Sequence, residues 1–333
     1  VTLPNLVIAG VGKAGTTSLF WYLSQHPDIC ASDEKEIRYF AGLTEGGTEL
    51  PPVETYERHF RHCRGERYAM EASPQYFHGG APVIQAMRRL LGRPRVVISL
   101  RDPVERLWSQ FRFTKSRLGP VPETLSFEAY VERSEHIWRE QAPLTPETRP
   151  WWHLAGGVYA DHIEPWLESF GGDLRVVFAE HLAEDPRAVV VDLARWLGID
   201  EVCVRSFTFS IENRTELVRS RLLQRVALFL NRERLLGGRR RLKAPLRRAY
   251  YALNRRRTPE TMDPATRRHL EELFAPHNAR LASILRAHGY EDLPAWLRRD
   301  EGRSTLERGL GRHRLGPAER GGDRGQGEDR GGA

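Results

Sequence analysis

The sequence predicts an α/β fold: a three-layer, P-loop-like arrangement with a central parallel sheet flanked by helices, followed by a helical C-terminal region. Two observations carry this reading. Apolar runs of strand length alternate with amphipathic helical patterns as far as about residue 200, the order that builds a parallel sheet covered on both faces. A glycine-rich turn also joins the first run directly to the first helical pattern.

Residues 6–9 are continuously apolar, as in a strand buried on both faces. Residues 16–25 read as a helix closed by His26-Pro27, because proline disfavours helical geometry at the residue before it. Residues 67–71 suit a short strand, 83–91 an amphipathic helix, and 94–100 a second buried strand. Pro103 sits where a missing N–H costs nothing, in the first turn of a helix running to about residue 118. Residues 159–170 form the next helical pattern, 174–178 a third buried strand, and 186–197 the helix after it. Beyond Phe209 the patterns are helical only, at 215–230, 245–253 and 263–288. The expected organisation is one domain over 1–299, with a strand-rich core to 210 and a helical region from 211. From Gly302 onward the chain has ten glycines, seven arginines and no aromatic residue, so 300–333 is expected to be a disordered tail.

The 333 residues, 40% hydrophobic and 29% charged, suit a globular chain and exclude collagen-like or wholly disordered classes. The longest apolar runs are strand-sized, so no membrane span is expected. The first eleven residues are too short and too uncharged in their flanks for a signal peptide. Cys30, Cys63 and Cys203 are odd in number, far apart and without metal-ligand spacing. Neither a disulfide framework nor a zinc site is expected, and a reducing cytoplasm is the expected location. The charge balance of 51 cations against 44 acids, +7, suits an anionic ligand and is mild for a dedicated nucleic-acid binder. Only four of those cations are lysines: Lys13, Lys35, Lys115 and Lys243. Two of the four fall in the motifs that carry chemistry.

The first motif is Gly10-Val11-Gly12-Lys13-Ala14-Gly15-Thr16-Thr17-Ser18, between strand and helix. Its glycines allow successive N–H groups to converge, the helix N terminus adds partial positive charge, and three hydroxyls add donors. That is a cradle for a phosphate-like anion. A nucleotide-triphosphate P-loop would place lysine directly after the last glycine, whereas Lys13 precedes Gly15 by two. The second motif, Arg101-Asp102-Pro103 with Arg106 and Ser109, leaves the end of a buried strand. Arg101 there can clamp a phosphate, with Ser109 donating from the following helix; taken alone, an ion pair at the sheet edge explains it equally well. The third, Lys35-Glu36-Ile37-Arg38-Tyr39-Phe40, sets a carboxylate among cations and aromatics, where it can act as a general base. In isolation it also reads as a solvated charge run.

Together these segments resemble sulfotransferases that use 3′-phosphoadenosine-5′-phosphosulfate (PAPS), in the branch containing heparan sulfate sulfotransferases and bacterial relatives. Residues 13–19 with His26-Pro27 match that family's 5′-phosphosulfate loop and helix. Residues 35–40 match its Lys-Glu-x-His-Phe-Phe segment, with Arg38 where histidine is common. Arg101, Arg106 and Ser109 match its 3′-phosphate motif. Weaker echoes follow in order: residues 71–77, then Gly157-Val158-Tyr159 with His162, Trp166 and Leu167, then Asp185-Pro186 and Trp196-Leu197-Gly198. The resemblance implies a nucleotide site of Lys13, Ala14, Gly15, Thr16, Thr17, Ser18, Arg101 and Ser109, with Arg219 closing over it. It implies Glu36 and Lys13 as catalytic groups and Lys35, Glu71 and His162 on the acceptor side. Glu71 and His162 are reserve acid–base candidates; an ion pair with an arginine explains Glu71 equally well, and a lone histidine on a helix such as His162 is more often hydrogen-bonded structure. The sequence departs from the family at Ala72, where a lysine is common, and in the loop around Arg219, which lacks the usual Lys-Gly and cysteine pair.

The implied partner is a glycan-like or small-molecule acceptor, and the implied chemistry does not inherently require Mg²⁺. Two other readings remain. A P-loop nucleotide kinase would use Asp102 as its Mg²⁺-binding acid, but the position of Lys13 argues against it. A nucleic-acid binder would use residues 237–257, which hold nine cations, no acid, and Tyr250 and Tyr251. An anionic-acceptor groove or a solvated helix face explains that stretch more simply, so nucleic acid is disfavoured.

Overall fold

A computed structural model describes residues 2–116, 121–122, 124–142, 145, 147–210 and 261–298. Its centre is a five-stranded parallel sheet: β1 (Leu6–Gly10), β2 (Ile29–Ala31), β3 (Tyr68–Ala72), β4 (Arg95–Leu100) and β5 (Leu174–Phe178), in the spatial order β2-β3-β1-β4-β5. Around it lie α1 (Thr16–Leu23), α2 (Gly80–Leu91), α3 (Pro103–Ser116), α4 (Phe127–Arg139), α5 (Ala160–Phe170), α6 (Pro186–Leu197) and α7 (Pro264–Ala287).

Strand alternation divides the core in two. Val7 and Ala9 face one apolar layer, filled by α2, α5 and the second half of α7; Leu6 and Ile8 face the other, filled by α1 and α6. A third cluster joins α3, α4 and the first half of α7 through Leu107, Phe111, Tyr130, Leu270 and Phe274. Two helix starts follow from their caps. Asp185 accepts the Ala188 N–H at 2.9 Å, and Asp263 accepts those of Ala265 and Thr266 at 2.9 and 3.0 Å, each before a proline.

The strand order fixes where a ligand can sit. After β1 the chain turns toward β2 and β3; after β4 it turns the other way, toward β5. The loops leaving these two neighbouring strands therefore diverge and open a crevice at their carboxyl ends, the place where open α/β sheets bind ligands.

The fold also corrects the sequence reading. Three-residue β2 is too short to register as a pattern, and α4, whose N-cap Ser126 accepts the Ala129 N–H at 3.2 Å, was not expected. Cys30 on β2 and Cys63 form a disulfide, with their Cα atoms 5.7 Å apart. The expectation of no disulfide fails because the pairing of β2 with β3 brings the turn ahead of β3, which carries Cys63, back to Cys30, and the cysteine argument for a reducing cytoplasm falls with it. Cys30, His62 and Cys63 hold ligand-type atoms within 4.8 Å of one another, with the two sulfurs bonded to each other. Among the described residues no helix is long and apolar enough to cross a membrane. The helices expected at 215–230 and 245–253, the basic stretch 237–257 and the tail 300–333 lie outside the described residues.

Candidate active site

The loop after β1 ends at a glycine cap on the N terminus of α1. Gly15 caps α1 at φ 83°, a left-handed conformation that glycine adopts freely, and it offers no side chain to the first-turn N–H groups. Those groups and the hydroxyls of Thr16, Thr17 and Ser18 remain at the helix's positive end. Thr16 and Ser18 are buried and Thr17 is half-buried. A side chain added at Gly12 would meet nothing within 4 Å, so the mouth of the loop is open. Lys13 carries a positive φ of 71°, and its Nζ lies 4.2 Å from the centre of the Phe113 ring on α3. Holding a lysine in that backbone region costs on the order of 1–3 kcal/mol, which the surrounding loop must offset.

Arg101 leaves β4 beside this loop. Its Nη1 donates to the Lys13 carbonyl at 3.2 Å, so the structure brings the two expected anion motifs together. Its Nη2 lies 3.8 Å from Glu105, whose other oxygen accepts from Arg267 on α7 at 2.6 Å. Tyr159 donates to the Arg101 carbonyl at 2.9 Å. Ser109 is half-buried on α3. Arg106 of the same motif is buried and donates to the carbonyl of His153, a structural role beneath the turn.

The 35–40 segment lies on the loop leaving β2. Glu36 is half-buried, with Lys35 Nζ at 3.5 Å from Oε1. Burial lowers the Lys35 pKa, and the carboxylates of Glu36 and Glu71 work against that shift. Gln75, with its amide oriented to suit its neighbours, donates to Glu36 Oε2 at 3.2 Å and accepts from Arg38 Nε at 2.5 Å. Gln75 belongs to the short turn Pro74–Gly79, whose Phe77 packs on Gly10: a Cβ there would stand 2.7 Å from Phe77 Cβ. One turn thus ties the Glu36 segment to the end of β1. Arg38, like Lys13, has a positive φ, 63°.

Two expected acceptor-side residues need restating. Glu71 is fully buried in β3, with Tyr56 donating to one carboxylate oxygen and Ser73 to the other at 2.8 Å. Both oxygens are engaged by protein hydroxyls, and burial raises its pKa against the pull of those bonds. His162 on α5 packs against the rings of Phe77, His78 and Trp152. It borders a cleft of about 460 Å³ also lined by Trp138, Arg139, Gln141 and Asp161. Burial lowers the pKa of His162, and that of His78 still further, with the neighbouring His162 adding to the effect on His78. Arg219 lies outside the described residues. Phe113, Tyr56, Ser73 and Gln75 were missed as site-builders; Ser73-Pro74-Gln75 inside the recognisable 71–77 echo was the available signal.

Residues 3–226 match the family described as "Sulfotransferase domain". The chain is 25% identical over 306 residues to bifunctional heparan sulfate N-deacetylase/N-sulfotransferase 4 of Mus musculus, covering 90% of this chain and 31% of that protein. It is 30% identical over 207 residues to heparan sulfate glucosamine 3-O-sulfotransferase 3B1 of Mus musculus, covering 60% of this chain and 47% of that one. The chain therefore spans less than half the length of these curated relatives. The crystal structure of a sulfotransferase from Alicyclobacillus acidocaldarius superimposes with a TM-score of 0.62 at 26% identity, over 89% of this chain and 99% of that one. The match runs through the β1–α1 loop, the Glu36 segment and the Arg101 turn, and by it the chain belongs to the sulfotransferase domain family.

Proposed function

We propose that the protein transfers a sulfuryl group from PAPS to a hydroxyl or amine of a glycan-like or small-molecule acceptor. The observation that carries this reading is the pair of anion seats at the carboxyl ends of β1 and β4, in contact through Arg101 and Lys13. A nucleotide with phosphates on both its 3′ and 5′ carbons calls for two such seats. Residues 13–18 would hold the 5′-phosphosulfate end, and Arg101 and Ser109 the 3′-phosphate. The donor supplies an electrophilic sulfur; the remaining tasks fall to the chain.

In this reading the acceptor oxygen or nitrogen attacks sulfur in line, the bond from sulfur to the bridging oxygen breaks, and its electron pair stays on that oxygen. Lys13, a compact ammonium on the phosphate loop, meets the growing charge. Glu36 takes the acceptor's proton, with Lys35 and Gln75 beside its carboxylate. The heparan sulfate relatives suggest a glucosamine-containing glycan as acceptor, and the Trp138, Trp152 and His162 cleft offers aromatic faces for sugar rings. A kinase reading is weakened at Asp102, whose Oδ1 is already engaged in accepting the Val104 N–H at 2.9 Å.

The test is transfer of radiolabel from PAPS to a panel of acceptors: N-desulfated heparan sulfate, glucosamine and simple phenols. Label should appear in at least one acceptor and adenosine 3′,5′-bisphosphate (PAP) should accumulate. Tight binding of ATP–Mg²⁺ with no affinity for PAP would overturn the reading in favour of a kinase.

A further inference from the structure

Glu71 is a fully buried carboxylate that the proposed chemistry does not use, and the hydrogen bonds around it lead to Arg38, two residues from Glu36. Its Oε2 takes the Ser73 hydroxyl proton at 2.8 Å, which leaves the Ser73 oxygen free to accept the Arg38 N–H at 3.0 Å. Its Oε1 takes the Tyr56 proton, and the Tyr56 ring stacks on Tyr39 with centroids 4.3 Å apart and planes 4° from parallel. Tyr76 accepts the Phe40 N–H at 3.4 Å. Ser73 is fixed in turn to β1, its N–H donating to the Ile8 carbonyl at 3.1 Å. The backbone of residues 38–40, including the strained Arg38, is thus gripped from one buried point.

We propose that Glu71 is a positioning residue that holds residues 35–40 through Ser73 and Tyr56 and thereby aims Glu36. The inference rests on the reading of Glu36 as the base. The chemistry requires an acceptor at both oxygens of residue 71. A glutamine would present N–H to either Tyr56 or Ser73. At Ser73 the hydroxyl proton would then have to turn away, toward the Arg38 N–H it now accepts, and one of the two bonds would be lost. The negative charge also faces the half-buried Lys35, whose ammonium pairs with Glu36.

The experiment compares Glu71→Gln, Ser73→Ala and the double variant, with Glu36→Gln in parallel. It uses radiolabelled PAPS and the best acceptor from the panel for turnover, PAP calorimetry for the nucleotide, and hydrogen exchange of the 35–40 and 10–18 peptides. Each single variant should lose roughly 10–100-fold in kcat, as small misplacements of reacting groups do. PAP affinity should stay within about twofold, because the nucleotide seats hang on other strands. Exchange should quicken at 35–40 and stay unchanged at 10–18. The double variant should be no worse than the worse single, since both act through one link. Unchanged kcat and exchange in a folded Glu71→Gln protein would overturn the proposal, as would losses that multiply, or a nucleotide affinity that falls with turnover. Should Glu71→Gln not fold, Ser73→Ala alone carries the same expectation and the same refutation. Normal turnover in Glu36→Gln would sink the base assignment separately, leaving the coupling of Glu71 and Ser73 to decide whether residues 35–40 are held this way.

Discussion

The phosphate loop and the Arg101 turn hang on the carboxyl ends of β1 and β4, neighbouring strands at the centre of the sheet. Residues 35–40 hang on a loop that leaves β2, a three-residue strand at the edge, and are tied to the rest of the site through the side chains of Ser73 and Gln75. The proposed nucleotide side is built mainly on local backbone geometry: a glycine cap, a helix terminus, a strand end. The proposed acceptor side is built by contacts between residues tens of positions apart. A site divided in this way can lose its chemistry without losing its grip on the nucleotide.

The largest expected effect breaks the two sides apart at Glu36. Glu36→Gln keeps the shape and removes the proposed base, so turnover should fall by roughly 10²–10⁴ while PAP binding is retained. Near-normal turnover in the folded variant would hand proton transfer to another group such as His162; lost PAP affinity would mean the two sides are not separable.

The disulfide sharpens the same division. It closes a loop of 33 residues that contains the whole 35–40 segment. Chain entropy assigns such a closure about 3–4 kcal/mol. Cys63→Ser, or treatment with a dithiol, should lower the melting temperature and reduce kcat more than PAP affinity. Thiol titration of the denatured, unreduced chain should count one thiol, Cys203. A count of three would remove the staple from the account.

On the nucleotide side the weakest point is steric. Gly10→Ala puts a methyl 2.7 Å from Phe77 Cβ, a core atom with no flexible end to swing aside. Overpacking of this kind costs about 1–3 kcal/mol. Calorimetric unfolding should show that loss, and an unchanged midpoint would mean the Pro74–Gly79 turn moves freely against β1.

This division also decides what could be read in the sequence. β1, α1, β4 and β5 with their following helices were legible because each is a continuous run whose period reports its own burial. The Gly12-Lys13-Ala14-Gly15 turn and Arg101 were legible because each sits in a short continuous motif at the end of a readable strand. The Cys30–Cys63 bond, the Ser73–Arg38 link and the stacking of Tyr39 on Tyr56 were not, because each joins segments that meet only when β2 and β3 pair. Glu71 shows the difference most plainly. Beside a strand in the sequence it reads equally as a reserve acid–base group or as an ion-pair partner for an arginine, and in the fold both its oxygens accept from hydroxyls instead.

The central claim, two anion seats for one bisphosphorylated nucleotide, is tested most directly by calorimetry on Arg101→Ala with two ligands. PAP carries a 3′-phosphate for Arg101 to hold, and adenosine 5′-phosphate does not. Losing charged hydrogen bonds worth about 1.5–3 kcal/mol should weaken PAP roughly 10–100-fold, with adenosine 5′-phosphate nearly unchanged. Equal losses for the two ligands would contradict the assignment of Arg101 to a separate 3′-phosphate seat.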